Sequence, residues 1–225
     1  MRRSVWAVVV AGGSGARYGG QKQFDLLGGR PLVTWAVAAS RHVADGVVAV
    51  VPPDRAGERP GERAGERATF GADIVVTGGT SRSGSVRRGL AAVPDTAELV
   101  VVHDAARPLA SAALFEAVLA ALETPGVDGA VCAVPVADTV KSVRADGTVA
   151  GTVDRSTLVA VQTPQAFRAS VLRSAHAGEG EATDDAALLE ALGSVVRVVS
   201  GDVRNVKVTT PADLAYCEHV LVQRP

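Results

Sequence analysis

Cysteine and histidine are scarce in this chain, and neither is grouped as metal ligands are. The two cysteines, Cys132 and Cys217, both lie in apolar stretches. They are too few for a disulfide framework, and reduced, buried thiols are typical of a cytoplasmic protein. The four histidines are scattered without the short spacings of zinc ligands. The sequence therefore predicts no zinc site and a cytoplasmic location.

An excess of charge of one sign is also missing, as are long apolar runs. The formal net charge is −1, which excludes a general nucleic-acid binder and makes any phosphate recognition local. No apolar run reaches the length needed to span a membrane. Arg2 and Arg3 precede an apolar run that ends in glycines instead of a cleavage site, so no signal peptide is expected. We expect neither nucleic acid nor a membrane as a partner.

The chain has enough apolar residues for a full core. Its 225 residues are 47% hydrophobic, which is sufficient for one domain with an appendage. We expect a single domain over residues 1–225, with a β-arm at about 136–156.

The first apolar run and the glycine-rich loop after it organise the prediction. Residues 4–10 read SVWAVVV, which suits a strand buried on both faces of a parallel sheet. Residues 11–23 then contain five glycines, with Arg17 and Lys22 as the cations. Glycine lets backbone N–H groups approach an anion closely. The loop alone fits a polyphosphate site and a solvated flexible turn about equally well.

Two familiar phosphate-binding fingerprints do not match this loop. Tyr18 occupies the position of the third glycine of G-x-G-x-x-G, the dinucleotide fingerprint. Gly15 and Gly20 have the spacing of the P-loop glycines, but Gln21 occupies the position of its lysine. Gln23 then follows Lys22 where the motif has a Ser or Thr that binds Mg²⁺. These mismatches exclude a nicotinamide site and an ordinary nucleoside triphosphatase.

Apolar β-type segments alternate with helical patterns along the rest of the chain. We predict strands at 47–51, 73–76, 99–102, 131–136, 158–161, 195–199 and 205–208, and helices at 31–42, 81–93 and from 210 onwards. Thr163-Pro164 is expected to end its strand. The alternation predicts a doubly wound α/β sandwich with a mostly parallel, Rossmann-like sheet. A Gly-Glu-Arg near-repeat over 57–67 predicts a solvated, poorly ordered helix.

A polar hairpin interrupts this pattern. Two β-like runs, 139–143 and 148–153, flank Asp146-Gly147, which is a strong hairpin signal. The strands carry Asp138, Lys141 and Arg144, too polar for a core. A projecting β-hairpin arm is the interpretation that fits.

Several polar residues occupy positions with both a functional and a structural interpretation. Asp104, just past a strand end, suits ligand binding or simple pairing with Arg107. Lys207, in an apolar strand, is either functional or a strand-edge charge. Thr183 suits substrate binding or helix capping before 186–189. Arg155 suits a binding role or pairing with Asp154.

The ordered motifs resemble one family. The run Ala-Gly-Gly-Ser-Gly-Ala-Arg at 11–17 with Lys22-Gln23-Phe24 resembles the signature loop of sugar nucleotidyltransferases. The resemblance is closest to the 2-C-methyl-D-erythritol 4-phosphate cytidylyltransferases and extends over nearly the whole chain. Further matching segments are Gly78-Gly79, Ser85-Val86, the run His-Asp-Ala-Ala-Arg-Pro at 103–108, Asp138-Thr139, Thr152 to Arg155, Thr163-Pro164-Gln165, Thr183-Asp184 and Asn205 to Thr209.

The resemblance implies roles for residues at matching positions. Arg17 and Lys22 would stabilise charge on the α-phosphate, while Arg155 and Lys207 would hold the acceptor phosphate. The implied CTP-binding residues are Ala11, Gly12, Gly13, Gly15, Gly79, Thr80 and Ser85. The implied acceptor-binding residues are Asp104, Arg107, Thr139, Thr163 and Thr183. Thr80 departs from the acidic residue frequent in the family, and Gln21 from its proline.

The resemblance also implies an activity, a metal and an assembly. The activity is transfer of CMP from CTP to 2-C-methyl-D-erythritol 4-phosphate, with release of pyrophosphate, in non-mevalonate isoprenoid synthesis. Mg²⁺ would bind through the CTP phosphates, with no metal ligand assigned in the chain. Two subunits would form a homodimer through the arm. The alternatives are a ribitol 5-phosphate cytidylyltransferase, a guanylyl or uridylyl transferase, and a non-catalytic nucleotide-binding regulator.

Overall fold

The structure is a computed structural model that describes residues 3–13, 18, 20–56, 70–178 and 180–223. Its strands are β1 (Val5–Val10), β2 (Leu26–Leu27), β3 (Arg30–Pro31), β4 (Gly46–Val51), β5 (Ile74–Thr77), β6 (Leu99–Asp104), β7 (Gly129–Pro135), β8 (Val140–Val143), β9 (Val149–Val153), β10 (Val159–Arg168) and β11 (Val196–Ser200). Its α-helices are α1 (Leu32–Ser40), α2 (Pro53–Ala56), α3 (Arg82–Ala91), α4 (Ala112–Ala121), α5 (Ala169–Ala175), α6 (Asp185–Ala191) and α7 (Pro211–Val222). Short 3₁₀ turns cover Lys22–Phe24 and Arg155–Thr157. The predicted helix over 57–67 lies outside the described residues.

Seven strands form the central sheet in the order β11-β7-β10-β6-β1-β4-β5. The pairings β1 with β4, β1 with β6, β4 with β5 and β7 with β11 are parallel. Strand β10 alone in this sheet runs antiparallel, to both β6 and β7. The predicted mostly parallel, doubly wound α/β fold is confirmed.

Helices cover both faces of the sheet. On one face, α1 and α4 bury side chains such as Val33 and Phe115 against β1, β4 and β6. On the other face, α3, α5 and α6 do the same with residues such as Leu90 and Leu172. Because both faces are covered, the central strands are apolar on both sides, and every residue of β4 and β6 is buried. This burial explains why their sequences are continuous runs instead of alternating patterns.

The final helix closes a separate apolar cluster at the strand ends. Cys217 of α7 packs with Leu27, Leu32, Leu109 and Val208. The helix begins with a complete capping box between Thr210 and Asp213 and with proline in its first turn. Within the described ranges, none of the helices combines the length and apolar character that crossing a bilayer requires.

The arm is a two-stranded antiparallel sheet of its own. Strands β8 and β9 pair from Val140 with Val153 to Val143 with Val149, and Gly147 takes the positive φ of 83° that the turn requires. The predicted hairpin is therefore confirmed.

Three local predictions are wrong. Thr163-Pro164 does not end its strand, because a register shift between Val161 and Gln165 takes the proline, which lacks an N–H group, out of the hydrogen-bonded ladder. Residues 205–208 form no strand, although the Val208 N–H donates to the Ala106 carbonyl over 2.8 Å. Asp104 is the last residue of β6, paired in register with Val10, and does not lie beyond the strand.

Candidate active site

A cavity of about 600 Å³ opens beyond the carboxyl ends of β1 and β6. Open α/β sheets bind ligands at this edge, and the volume is typical of small-molecule sites. Four chain segments converge on it: the loop after β1, the turn before α3, the end of β6, and the segment that contains Lys207. Its lining residues are Val10, Ala11, Gly12, Gly13, Lys22, Gln23, Gly79, Thr80, Ser81, Arg82, Ser85, Asp104, Ala106 and Lys207.

Most of the residues predicted to bind CTP line this cavity. Ala11, Gly12, Gly13, Gly79, Thr80 and Ser85 are all on its wall, together with Lys22 and Lys207. The structure thus brings together the predicted nucleotide residues and two of the predicted catalytic cations. Gly15 and Arg17 lie outside the described residues.

The turn before α3 is held in shape by its own serines. Ser81 caps the helix by accepting from the Gly84 N–H over 2.9 Å. The Ser85 hydroxyl accepts from the Gly79 N–H and donates to the Ser81 carbonyl, over 3.1 and 2.8 Å. A β-carbon at Gly79 would lie 2.7 Å from the Gly84 backbone, so only glycine fits there. Ser85 therefore organises the turn from inside the cavity wall.

Gln23 holds the loop after β1 in shape, a role that the sequence analysis did not predict. Its buried side-chain amide donates to the carbonyl oxygens of Ala11 and Gly13, over 2.7 and 3.0 Å. These bonds fix the first part of the glycine-rich loop against the 3₁₀ turn that carries Lys22. The role could have been predicted from a glutamine beside a glycine-rich loop, because such a loop has carbonyl groups that are not hydrogen-bonded within a strand.

Asp104 lies between two cations on the cavity wall. One carboxylate oxygen is 2.6 Å from Lys207 Nζ, and the other is 3.4 Å from Arg82 Nε. Burial opposes its ionisation, but Arg82 and Lys207 outweigh that effect and hold the pKa of Asp104 well below its ordinary value. Asp104 is therefore an anion at every pH at which the fold operates.

A smaller cavity of about 270 Å³ adjoins the first and contains the other acceptor candidates. Arg107, Thr163 and Thr183 line it, and Arg82, Asp104 and Lys207 line both cavities. The Arg107 guanidinium donates to the carbonyl oxygens of Asn205 and Val161, over 2.6 and 3.5 Å. Arg107 therefore bonds backbone carbonyl groups, whereas the ion pairs of Asp104 are with Arg82 and Lys207.

His103 and Thr163 fix the backbone at Asp104. The Thr163 hydroxyl accepts from the Asp104 N–H and bonds His103 Nδ1, both over 3.0 Å. His103 Nε2 lies 3.2 Å from the Arg107 carbonyl oxygen. Complete burial lowers the pKa of His103 to about 4, so the ring is neutral and donates from Nε2. The Thr163 hydroxyl is thus engaged inside the protein, on the wall of the smaller cavity.

Thr139 and Arg155, on or next to the arm, lie outside both sets of lining residues. Both are exposed, and the Arg155 guanidinium contacts the carbonyl oxygen of Ala137. Asp154, the partner considered for Arg155, instead accepts from the Ser156 N–H over 3.0 Å. Thr183 precedes Asp184, and it is Asp184 that caps α6 through the Ala187 N–H.

A doubly wound sheet with a glycine-lined, cation-bearing cavity at its carboxyl edge defines a nucleotide-binding α/β protein. Comparison with known proteins narrows this class. Residues 5–223 match the family described as 2-C-methyl-D-erythritol 4-phosphate cytidylyltransferase, so the chain belongs to that family of nucleotidyltransferases.

Individual relatives agree with the family assignment. The chain is 44% identical over 227 residues to the 2-C-methyl-D-erythritol 4-phosphate cytidylyltransferase of Synechococcus sp., covering 96% of each protein. It is 47% identical over 224 residues to the bifunctional enzyme IspD/IspF of Nitratidesulfovibrio vulgaris; this match covers 93% of the chain but 56% of that relative, about half its length. The crystal structure of the cytidylyltransferase from Thermus thermophilus is similar with a TM-score of 0.77 and 35% identity, covering 96% and 98% of the two chains.

Proposed function

We propose that this chain transfers CMP from CTP to 2-C-methyl-D-erythritol 4-phosphate and releases pyrophosphate. The observation that carries the proposal is the pair of adjoining cavities that share Asp104, Lys207 and Arg82. The larger cavity has the glycine-rich wall that suits a nucleotide, and the smaller one has the cations that suit a phosphate. In the reaction an oxygen of the acceptor phosphate bonds the α-phosphorus of CTP, and the bond to the bridging oxygen breaks.

The roles of the side chains follow from where negative charge gathers. Arg17 and Lys22 stabilise charge on the α-phosphate in the transition state, and Arg155 and Lys207 hold the acceptor phosphate in line. Ala11, Gly12, Gly13, Gly15, Gly79, Thr80 and Ser85 bind CTP, and Asp104, Arg107, Thr139, Thr163 and Thr183 bind the acceptor. A cation about 4 Å from an anionic oxygen contributes roughly 4 kcal/mol at a protein-like dielectric constant, so placed cations offset the repulsion between two anions.

The proposed chemistry needs no general base in the site. The second pKa of a phosphate monoester is near ~6, so the acceptor is largely a dianion at neutral pH and is already a nucleophile. Two nearby titratable groups do not compete for this role: His103 is buried and enclosed in internal hydrogen bonds, and the lining residue Asp104 is paired with two cations. The enzyme therefore contributes binding, alignment and charge.

The donor set of the cavity fits Mg²⁺ held mainly by the nucleotide. Among the described residues that line the larger cavity, Asp104 is the single carboxylate, and the described part of the chain contains no cluster of three metal-ligating side chains. Mg²⁺ typically binds one or two carboxylates together with substrate phosphates. We propose that it binds the CTP phosphates beside Asp104 and neutralises part of their charge.

The arm completes the proposed site from a second subunit. Thr139 and Arg155 do not line the cavities of their own chain, and a two-fold dimer would place each arm in the cleft of its partner. We propose this homodimer, a single nucleotidyltransferase domain over residues 1–225 in each subunit, and a cytoplasmic location.

A panel of nucleotides and acceptors tests the proposed reaction. Pyrophosphate release is measured with CTP, UTP, ATP and GTP against 2-C-methyl-D-erythritol 4-phosphate and ribitol 5-phosphate. We expect CTP with the methylerythritol phosphate to be the preferred pair, and Lys22→Ala to lower kcat far more than it raises the KM for CTP. Comparable efficiency with a purine nucleotide or with ribitol 5-phosphate would contradict the assignment.

Complementation between two inactive variants tests the contribution of the arm. Lys22→Ala and Arg155→Ala are mixed under conditions in which subunit exchange is demonstrated independently. In a mixed dimer one site keeps both residues and the other site lacks both, so activity is expected to return. If both variants are inactive alone and the exchanged mixture stays inactive, Arg155 does not act across a dimer.

A further inference from the structure

We propose that Arg82 is a positioning residue for the acceptor phosphate: it fixes the pair Asp104–Lys207 at the junction of the two cavities, and Asp185 and His176 fix Arg82 from behind. This inference deepens the function proposed above and rests on it. The sequence alone assigned Arg82 no role. Its importance depends on partners that lie 22 and 103 residues further along the chain.

Arg82 bridges two buried carboxylates that belong to different parts of the fold. Its Nε atom lies 3.4 Å from Asp104 at the end of β6, and its Nη1 atom lies 2.9 Å from Asp185 at the start of α6. Burial disfavours the charged guanidinium, but the two carboxylates outweigh burial and raise its pKa. Arg82 is therefore a permanent cation whose direction is set from both sides.

The rear support of Arg82 is itself enclosed. The side chain of Asp185 is fully buried, and its other oxygen lies 2.9 Å from His176 Nε2, just after α5. A buried carboxylate with two such partners has little freedom to rotate. The arginine consequently rests on a rigid pair provided by two helices, so its end toward the cavities is fixed in place.

The charges at the junction explain what this support achieves. Arg82, Arg107 and Lys207 line the smaller cavity together with Asp104 and Asp184, so its lining carries three cations, two carboxylates and one net positive charge. Asp185 lies behind Arg82 and is not part of the lining. Without Arg82, Asp104 would be neutralised by Lys207 alone, and the junction would lose its net attraction for a phosphate. Arginine suits the position because its planar fork reaches two carboxylates at once, which a lysine ammonium does less well.

Arg82 also connects the two halves of the site. It is the first residue of α3, directly after the turn that forms the wall of the larger cavity, and it reaches into the smaller one. Its loss should therefore affect the acceptor much more than CTP, because the nucleotide turn is held separately by Ser81 and Ser85.

Kinetics of four variants test the inference. We expect Arg82→Gln to lower kcat/KM for the acceptor about 100-fold, the loss typical of a small misplacement, with the KM for CTP changed less than about threefold. Asp185→Asn is expected to lower kcat/KM for the acceptor about 10-fold, although it leaves Lys207 and Asp104 intact. The reason is that the amide replaces an acceptor with an N–H donor next to Arg82. Arg82→Lys should recover only part of the loss, because it restores the charge but not the fork that reaches both carboxylates.

Arg173→Gln is the matched control, because Arg173 likewise joins distant parts of the fold, through the carbonyl oxygens of Leu90 and Val93, but lines neither cavity. It should lower thermal stability with kinetics unchanged. If Arg82→Gln and Asp185→Asn behave like Arg173→Gln, with altered stability and normal acceptor kinetics, Arg82 has only a structural role and the inference is overturned.

Binding of inorganic phosphate separates this inference from the proposed function. Calorimetric titration of phosphate into the wild-type protein and the same variants requires no turnover. If the wild type releases no pyrophosphate but binds phosphate at least 10-fold more tightly than Arg82→Gln, the proposed function fails and the role of Arg82 stands. Equal affinity in both proteins, or no phosphate binding by the wild type, would overturn the inference.

Discussion

The wall of the cavities and the arm are both rich in polar residues, but they are held together in opposite ways. Around the cavities, hydrogen bonds and ion pairs join residues far apart in sequence, such as Gln162 with Asp202 and Arg82 with Asp185, and most of these groups are buried. In the arm, polar contacts are local and exposed, as between Lys141 and Thr152 or Asp146 and Thr148. The cavity geometry thus depends on the whole fold, whereas the arm is shaped by its own hairpin.

The apolar residues sharpen this contrast. Val143 and Val149 of the arm are 60% and 56% exposed, whereas β4 and β6 are buried throughout. A hairpin with exposed apolar side chains gains little stability from its own chain, because two strands alone are marginal in water. The following predictions test whether the two regions differ as strongly in energy as in structure.

Replacement of a carboxylate in each region should give the largest difference. Asp104→Ala removes the buried carboxylate that Arg82 and Lys207 share and leaves the mostly buried Arg82 with one anionic partner fewer, so we expect the free energy of unfolding to fall by about 3 kcal/mol. Asp146→Ala in the arm removes only exposed bonds to Thr148, so its effect should be much smaller than that of Asp104→Ala. Urea titrations measure both values, and equal losses would refute the contrast.

A pH titration should reveal the burial of His103. The unfolded chain binds a proton at His103 below pH ~6.5, whereas the folded protein binds it only below the lowered pKa of about 4. Between these values the unfolded state holds more protons, so stability falls as pH drops from ~6.5 to ~4, by up to about 3 kcal/mol from this group.

His103→Gln is the control for this titration, because it removes the titrating ring. Urea titrations at several pH values should show a shallower slope in the variant than in the wild type across that window. Asp104 adds to the slope only at the acid end of this window, where the unfolded carboxyl begins to bind protons, and it adds equally in both proteins. Identical slopes in the two proteins would mean that His103 is protonated in the fold.

A pair of glycine replacements should give a smaller and more local difference. Gly79→Ala forces a β-carbon to 2.7 Å from the Gly84 backbone, so we expect a loss of about 1–3 kcal/mol and a raised KM for CTP. Gly147→Ala strains the arm turn, where φ is 83°, by about 1 kcal/mol and should leave that KM unchanged. A normal KM in Gly79→Ala would show that the turn does not contact the nucleotide.

The smallest effect is expected from the exposed valines of the arm. Val143→Thr and Val149→Thr should change the stability of a dilute, monomeric sample by less than about 0.5 kcal/mol. If the arm binds a second subunit as proposed, the same variants should weaken the dimer in sedimentation experiments. A large loss of stability in the monomer would instead mean that the arm packs on its own chain.

The sequence was sufficient for features that depend on neighbours along the chain. Apolar runs such as 47–51 predicted buried strands, and Asp146-Gly147 predicted the hairpin, because strand burial and turn geometry are both encoded locally. Capping of the last helix by Thr210 was predictable for the same reason. Most residues that the family resemblance implied as nucleotide contacts line one cavity.

Features that depend on tertiary contacts were missed or misassigned. The alternation at 205–208 resembles a strand, but Val208 packs into a cluster with Leu27 and Cys217, and Asn205 bonds Thr163 through its side chain. The role of Gln23 depends on carbonyl groups in a loop folded back over it. Arg82 needs two carboxylates that only the completed fold brings near, so no local pattern identifies it.

The reversal of β10 has a consequence for how the molecule can be extended. Strand β7 ends at the cavity edge, and because β10 runs the opposite way, the chain also enters β10 at that edge. Everything inserted between the two strands, here residues 136–158, therefore begins and ends at the edge of the sheet where the cavities lie. A parallel return would have needed a crossover to the far edge, and the same residues would have served as a covering helix. The antiparallel direction of one strand thus places both ends of an inserted segment at the functional edge of the sheet.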